Sequence, residues 1–262
     1  MSLPSVQASI ALAGISTAGQ SHLRCGTPCQ DASAWEVLPG GGGVVAVADG
    51  AGSSALSDLG AQKAVDTVLR TIHTLLSDDL RPTASDMEAA IELAIEEARI
   101  EIRKAAVRED ATDDDFSTTI QVAVAYPGRI AFAQLGDGAC VLRDATSDSY
   151  DLVFPPQEGE HAGETCFLPR HPSQEWPLLL KTLEAEWACF ALLTDGTGNV
   201  AVDRTSLAPV SGFFGPLEKL ICEAGPKTAT RWLEQELQSG PTAERVHDDR
   251  TLVLAVYREC GS

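Results

Sequence analysis

Apolar and polar residues alternate from Gln7 to Ile15, the period of a strand with one buried face. Gly40-Gly41-Gly42-Gly43 then predicts a flexible turn feeding a continuous apolar strand, Val44–Ala48. The period changes to that of a helix from Ser57 to about Leu76, with Leu59, Ala61, Ala64, Val65, Val68, Leu69, Ile72 and Leu75 on one face. A second helix is predicted from about Ser85 to Val107, apolar at Ala90, Ile91, Ala94, Ile95, Ala98 and Ile102. Pro82 separates the two, which predicts an antiparallel helical hairpin.

Three short strands, Thr118–Ala125, Arg129–Leu135 and Ala139–Arg143, follow around the turns Pro127-Gly128 and Gly136-Asp137-Gly138 and read as a meander. Residues 146–187 are polar, proline-bearing and irregular, and are expected to form a flap-like insertion beside the site. Strand Cys189–Thr194, a helix-prone stretch over 214–238 and strand Thr251–Tyr257 complete the chain. Strands and helices are segregated more than alternated, so the expected class is α+β. With 262 residues and 44% hydrophobic content, one domain over 1–262 is expected.

Charge narrows the partners. Lys and Arg total 19 against 38 Asp and Glu, a formal net charge of -19 that repels nucleic acid and anionic membranes and attracts cations. No apolar run approaches a membrane span and no signal core stands at the N-terminus, so a soluble, cytoplasmic protein is expected. The 7 cysteines are scattered and odd in number, unlike a disulfide framework. Cys25 and Cys29 form one potential ligand pair, but no second Cys/His pair follows at zinc spacing, which favours plain loop thiols.

The chemistry concentrates on aspartates. Val45-Ala46-Val47-Ala48-Asp49-Gly50 and Ala191-Leu192-Leu193-Thr194-Asp195-Gly196 both end an apolar strand on Asp-Gly, where the carboxylate emerges at the edge of the core. Asp-Gly alone is a common turn. Together with Gln30-Asp31 and Asp248-Asp249, also beside predicted strands, the set points to oxygen ligation of a hard divalent cation, magnesium or manganese. Gly50-Ala51-Gly52-Ser53-Ser54-Ala55 formally satisfies a dinucleotide fingerprint, but Asp49 would repel pyrophosphate and a helical hairpin replaces the second parallel strand. Asp113-Asp114-Asp115 carries the ordinary reading of a solvated acidic loop, with Asp115 alone as a candidate for function. His22 is the one histidine placed to touch a substrate, with a surface-loop role as the alternative. No cysteine stands at tyrosine-phosphatase spacing and no Walker A loop is present, which leaves attack by a metal-activated water.

Taken in order, Gln30-Asp31-Ala32, Val47-Ala48-Asp49-Gly50-Ala51-Gly52, Ser117-Thr118-Thr119, Leu135-Gly136-Asp137-Gly138, Leu193-Thr194-Asp195-Gly196 and Asp248-Asp249-Arg250-Thr251-Leu252-Val253 resemble the metal-dependent type 2C protein phosphatases, most of all their compact bacterial branch. The resemblance implies an α-β-β-α sandwich, two antiparallel sheets flanked by helix pairs. It implies two Mg2+ or Mn2+ ions ligated directly or through water by Asp31, Asp49, Asp195 and Asp248, with Asp49 bridging them and the Gly50 carbonyl ligating one. Asp49 and Asp195 would be the catalytic aspartates, and Asp115 lies where bacterial relatives place a ligand for a third, weaker ion.

Three departures stand out. Gln30 replaces a frequent glutamate that holds metal-bound water, and Gly26 stands where an arginine commonly contacts phosphate, leaving His22 or Arg24 for that contact. Ala51 stands where many eukaryotic members have histidine, so no obvious general acid serves the leaving group. The expected activity is hydrolysis of phosphoserine and phosphothreonine in proteins by a monomer, opposed to a cognate kinase. The alternative is a catalytically weak member that binds a phosphoprotein or kinase.

Overall fold

The computed structural model describes residues 9–155, 157, 165–169, 177–203, 205–240 and 246–258. Among the described residues, ten strands are distributed over two antiparallel sheets. One contains, in spatial order, β1 (Ser9–Thr17), β10 (Arg250–Arg258), β9 (Trp187–Leu193), β6 (Ala139–Asp144) and β7 (Asp151–Leu152). The other contains β2 (Asp31–Leu38), β3 (Gly42–Asp49), β4 (Ile120–Tyr126), β5 (Arg129–Leu135) and β8 (Leu179–Leu183). Helices α2 (Ser57–Leu76) and α3 (Ala84–Arg108) cover the second sheet, while α5 (Ser211–Ala224) and α6 (Pro226–Ser239) cover the first. The result is the expected four-layer sandwich; α1 (Gln20–Cys25) and α4 (Asp195–Ala201) are short connectors at one end.

Side-chain alternation divides the interior into three cores. On β3, Val44, Ala46 and Ala48 meet the α2–α3 hairpin, whereas Val45 and Val47 enter the layer between the sheets. On β9 and β10, Leu193, Leu252 and Leu254 meet α5 and α6, whereas Leu192, Val253 and Ala255 face the opposite sheet. The same alternation, continued past the strand ends, directs Asp49, Thr194 and Thr251 toward the gap between the sheets. Asp31, one residue before Ala32 of the hairpin-facing core, falls on that side as well.

The helices largely follow their sequence pattern. Ala61, Ala64, Val65, Val68 and Ile72 of α2 are buried, as are Ala90, Ile91, Ala94, Ile95, Ala98 and Ile102 of α3. Leu59 and Leu75 are instead exposed, because the buried stripe runs onto Leu76. Thr83 and Asp86 form a reciprocal capping box that starts α3 at Ala84.

Four elements depart from expectation. The meander is broken: β4 and β5 pair with each other, but β6 crosses to the other sheet and pairs with β9 and β7. The stretch over 214–238 is two helices, divided at Gly225-Pro226 by a glycine with φ +86 followed by a proline at the first helical position. The 146–187 segment supplies an edge strand to each sheet, β7 and β8; its residues 156, 158–164 and 170–176 lie outside the described residues. Finally, β2, α1 and α4 carried no clear sequence period: β2 is rich in small residues, and α4 contains glycines that depress helix propensity.

Candidate metal centre

The pairing of β2 with β3 sets Asp31 directly opposite Asp49 at the end of the ladder. Like charges in that position repel. Asp31 is buried, and its Oδ2 accepts hydrogen bonds from Thr194 Oγ1 at 2.7 Å and Thr251 Oγ1 at 2.8 Å, both from the opposite sheet. Its Oδ1 is buried without a partner. Burial pushes the Asp31 carboxyl up to about 8 against the two threonine hydroxyls, with the charges of Asp249 and Asp195 adding to the rise.

Asp49 has its backbone fixed from β4. Thr119 Oγ1 accepts from Asp49 N at 3.0 Å, while Thr118 Oγ1 and Thr119 N donate to the Asp49 carbonyl at 2.9 and 2.8 Å. The Asp49 carboxyl is held well above the usual carboxylate range by burial and then by Asp31, Asp195 and Asp137. A side-chain contact with Asp195 adds to the rise at Asp49 and offsets part of it at Asp195. Asp195 opens α4 and is raised by burial and by Asp137 and Asp248, partly offset by Asp49 and by the backbone N–H of Gly196.

Two glycines permit these approaches. A Cβ at Gly50 would lie 2.7 Å from both the Gln30 and Ser57 carbonyl oxygens, and one at Gly196 would lie 1.9 Å from the Asp249 carbonyl oxygen. The Gly50 N–H donates to Gln30 O at 3.1 Å, and Ala51 N–H to Ser117 O at 2.9 Å. The charges of Asp31, Asp195 and Asp137 thus reach Asp49, and those of Asp137 and Asp248 reach Asp195; Asp137 stood in a turn in the sequence analysis without a role. Thr194, Thr251, Thr118 and Thr119 were likewise missed as supports. The signal was their adjacency to the aspartate motifs, but their hydrogen bonds cross between strands far apart in sequence.

The paired aspartates near the C-terminus divide their work. Asp248 is exposed and accepts from Asp249 N at 2.9 Å. Asp249 is buried and accepts from Gly19 N at 2.6 Å, Gln30 N at 2.6 Å and His22 Nδ1 at 2.8 Å. Arg24 is exposed on α1.

Asp115 is engaged through one oxygen within its own turn. Its Oδ2 accepts from Thr112 N at 2.9 Å and Thr112 Oγ1 at 2.7 Å, bonds that hold its carboxyl below the usual range and close a single helical turn, Asp113–Phe116. That turn braces the Gly50 loop through its main chain, since Leu56 N donates to Asp115 O at 2.8 Å and Ser54 Oγ to Asp114 O at 2.7 Å.

Among the described residues, no three Asp, Glu, His or Cys side chains form a ready-made metal-binding group. The donor set nevertheless fits hard cations. It is all oxygen, it leaves one buried carboxylate oxygen of Asp31 unpaired, and it holds Asp49 and Asp195 where their carboxyl groups act on each other. Cys29 points away from thiolate chemistry, because burial and the charges of Asp31 and Asp249 keep its thiol protonated.

A family model for protein phosphatase 2C matches residues 18–238. Serine/threonine-protein phosphatase 3 of Escherichia coli (strain K12) is 28% identical over 261 residues, spanning 93% of this chain and 97% of that protein. Among solved structures, the catalytic domain of the serine/threonine phosphatase PstP in complex with 2 manganese ions superposes with a TM-score of 0.65 at 18% identity, covering 95% of this chain and 99% of the other. PppA, a regulatory component of the type VI secretion system in Pseudomonas aeruginosa, gives 0.63 at 16% identity over 95% and 98%.

Burial of the Asp31 carboxyl sets a pH dependence for the metal-free chain. Asp31 titrates near 8 when folded and near 3.8 when unfolded, so between those values the folded state holds a proton that the unfolded state releases. Stability in chelator therefore rises as pH falls from 8 toward 4, by at most about 1.4 kcal/mol per pH unit for this group. Thermal unfolding across that range is expected to show the rise, and Asp31→Asn is expected to make it shallower; identical slopes would remove Asp31 as its source.

Proposed function

Because the chain belongs to the protein phosphatase 2C family of metal-dependent serine/threonine phosphatases, we propose that Asp31, Asp49, the Gly50 carbonyl, Asp195 and Asp248 hold a pair of Mg2+ or Mn2+ ions. PstP, with its 2 manganese ions, supports that number by likeness of fold. The observation that carries the assignment is the Asp31–Asp49 register with Asp195 acting on Asp49. Such ions lower the pKa of bound water and neutralise phosphate charge. The chain's own part is to hold the acceptors rigid through Thr118, Thr119, Thr194 and Thr251. Water would add to phosphorus while the seryl or threonyl oxygen leaves and takes up a proton released by that water, so that a hydroxyl and inorganic phosphate result.

Asp137 completes the acidic set in this reading in place of Asp115, because it is Asp137 whose charge reaches Asp49 and Asp195. The 146–187 segment is assigned substrate selection: Gln157 Oε1 accepts from Gly136 N at 2.8 Å, and Thr165 Oγ1 donates to Asp137 at 2.9 Å, so this segment touches the acidic loop. The partner is a phosphoprotein, phosphorylated by a cognate kinase. The charge of -19 disfavours nucleic acid, and a monomer suffices for the site. Among the described residues no helix is long and apolar enough to cross a membrane; a cytoplasmic setting is part of the proposal.

Three outcomes test the reading. Hydrolysis of a phosphopeptide is expected to require added Mn2+ or Mg2+ and to stop in excess chelator. Asp49→Asn or Asp195→Asn should abolish it while raising the metal-free unfolding temperature by relieving like-charge repulsion. A wild type inert with metal present would instead favour the phosphoprotein-binding alternative. Second, Asp115→Ala should lower stability through loss of its bonds to Thr112 and keep most turnover, whereas Asp137→Asn should lower turnover; steady-state kinetics with urea unfolding separates the two. Third, shortening the chain between β7 and β8 should change preference among phosphoproteins and spare small phosphate esters, and equal loss of both would refute the assignment.

A further inference from the structure

Two buried glutamines face each other between the sheets. Gln121 of β4 and Gln134 of β5 are direct cross-strand partners. The alternation that sends Val122 and Ala133 into the hairpin core sends both amides the other way, toward the layer where Ala123 and Phe132 form the next pair on the same face. Gln121 is 0% and Gln134 1% exposed, and among the described residues Nε2 and Oε1 of Gln121 and Oε1 of Gln134 have no hydrogen-bond partner. Polar atoms buried in that state cost stability that an apolar pair of the same length would not, so their presence calls for a reason other than folding.

Both amides bear on the turn Gly136-Asp137-Gly138, which joins β5 to β6. Gln134 Nε2 donates to the Gly136 carbonyl at 3.2 Å. A Cβ added to Gly138 would lie 2.2 Å from Gln121 Nε2, nearer than to its Cδ at 2.5 Å or its Oε1 at 2.8 Å. A Cβ on Gly136, whose φ is +110, would lie 2.5 Å from Thr119 Cγ2. Thr119, Gln121 and Gln134 thus form a floor under the turn, with the nitrogen of each amide toward it. Thr119 also holds the main chain of Asp49 through its N and Oγ1, so this floor links the two acidic loops.

We propose that Gln121 and Gln134 are positioning residues for Asp137: their amides set the reach of its carboxylate toward Asp49 and Asp195, and with it the affinity of the site for a divalent cation. This rests on the metal-dependent phosphatase reading above. The reach matters because the charge of Asp137 acts on both Asp49 and Asp195. Gly136 is held through its N–H by Gln157 Oε1 at 2.8 Å and through its carbonyl by Gln134, while Gln121 bounds the exit of the turn at Gly138. An amide suits this task because its N–H dipole faces an acidic turn without adding a charge. Glutamate would add a like charge, and methionine offers no donor.

Methionine keeps the length of glutamine and removes its polar atoms. The Gln121→Met/Gln134→Met double variant and Gln134→Met alone, each with and without Asp137→Asn, are compared with wild type by calorimetric titration of Mn2+, by urea unfolding in chelator and by phosphopeptide hydrolysis against Mn2+ concentration. The double variant is expected to bind Mn2+ about tenfold more weakly and Gln134→Met about fivefold, the scale of one lost hydrogen bond. Hydrolysis should half-saturate at correspondingly higher Mn2+, and metal-free stability should be unchanged or raised. In the Asp137→Asn background the same substitutions are expected to change Mn2+ affinity less than about twofold, because their effect passes through Asp137. Gln134→Met alone carries the same cycle should the double variant not fold. Wild-type Mn2+ affinity in the glutamine variants would overturn the proposal and leave the pair purely structural, as would a loss repeated in full in the Asp137→Asn background. A wild type that binds Mn2+ but hydrolyses no phosphopeptide would overturn the phosphatase reading instead, and the Mn2+ cycle would still decide the role of the glutamines.

Discussion

Placing Asp31 opposite Asp49 at the end of a β-ladder is costly in a protein without bound cations, because two carboxyls are taken from water and set beside each other. Much of the surrounding architecture offsets that cost. Thr194 and Thr251 reach across from the other sheet to Asp31, Thr118 and Thr119 fix the main chain of Asp49, and α4 presents its first-turn N–H to Asp195. What is not offset shows as the raised carboxyls of Asp31 and Asp49 and an unpaired oxygen on Asp31. A divalent cation relieves both, because it neutralises the carboxylates and takes the unpaired oxygen as a ligand.

The two sheets make different contributions. The second sheet brings Asp31 and Asp49 as neighbours on adjacent strands, while the first brings Thr194, Asp195, Asp248 and Thr251 from the ends of β9 and β10. Asp249 ties the halves together, since it sits at the start of β10 but accepts from the residue that precedes β2 and from the residue that precedes α1. Neighbouring aspartates thus serve opposite purposes: Asp248 stays exposed beside Asp195, whereas both oxygens of Asp249 are consumed by the scaffold. The acidic turn at Asp113–Phe116 is a similar case, where backbone carbonyls rather than carboxylates act on the Gly50 loop.

The sequence by itself determined the elements with strong periods and the motif ends they carry. The α2–α3 hairpin follows from its apolar stripes and Pro82, β3 and β9 from unbroken apolar runs, and the placing of Asp49 and Asp195 at the edge of a core from the Asp-Gly steps that end those runs. The α+β class followed from segregated strands and helices, and the ordered aspartate motifs pointed to the family. Only the tertiary structure decided which sheet each strand joins. β6 reads as the third strand of a meander, yet it pairs in the other sheet, because register and layer depend on cross-strand partners that lie far along the chain. For the same reason the sequence did not distinguish Asp137 from Asp115. Both lie in turns near strand ends, but a local Thr112 cap engages one carboxylate, while the turn from β5 to β6 brings the charge of the other to Asp49 and Asp195. Local pattern sets where a side chain leaves its own strand; what it meets is set by the packing of two sheets.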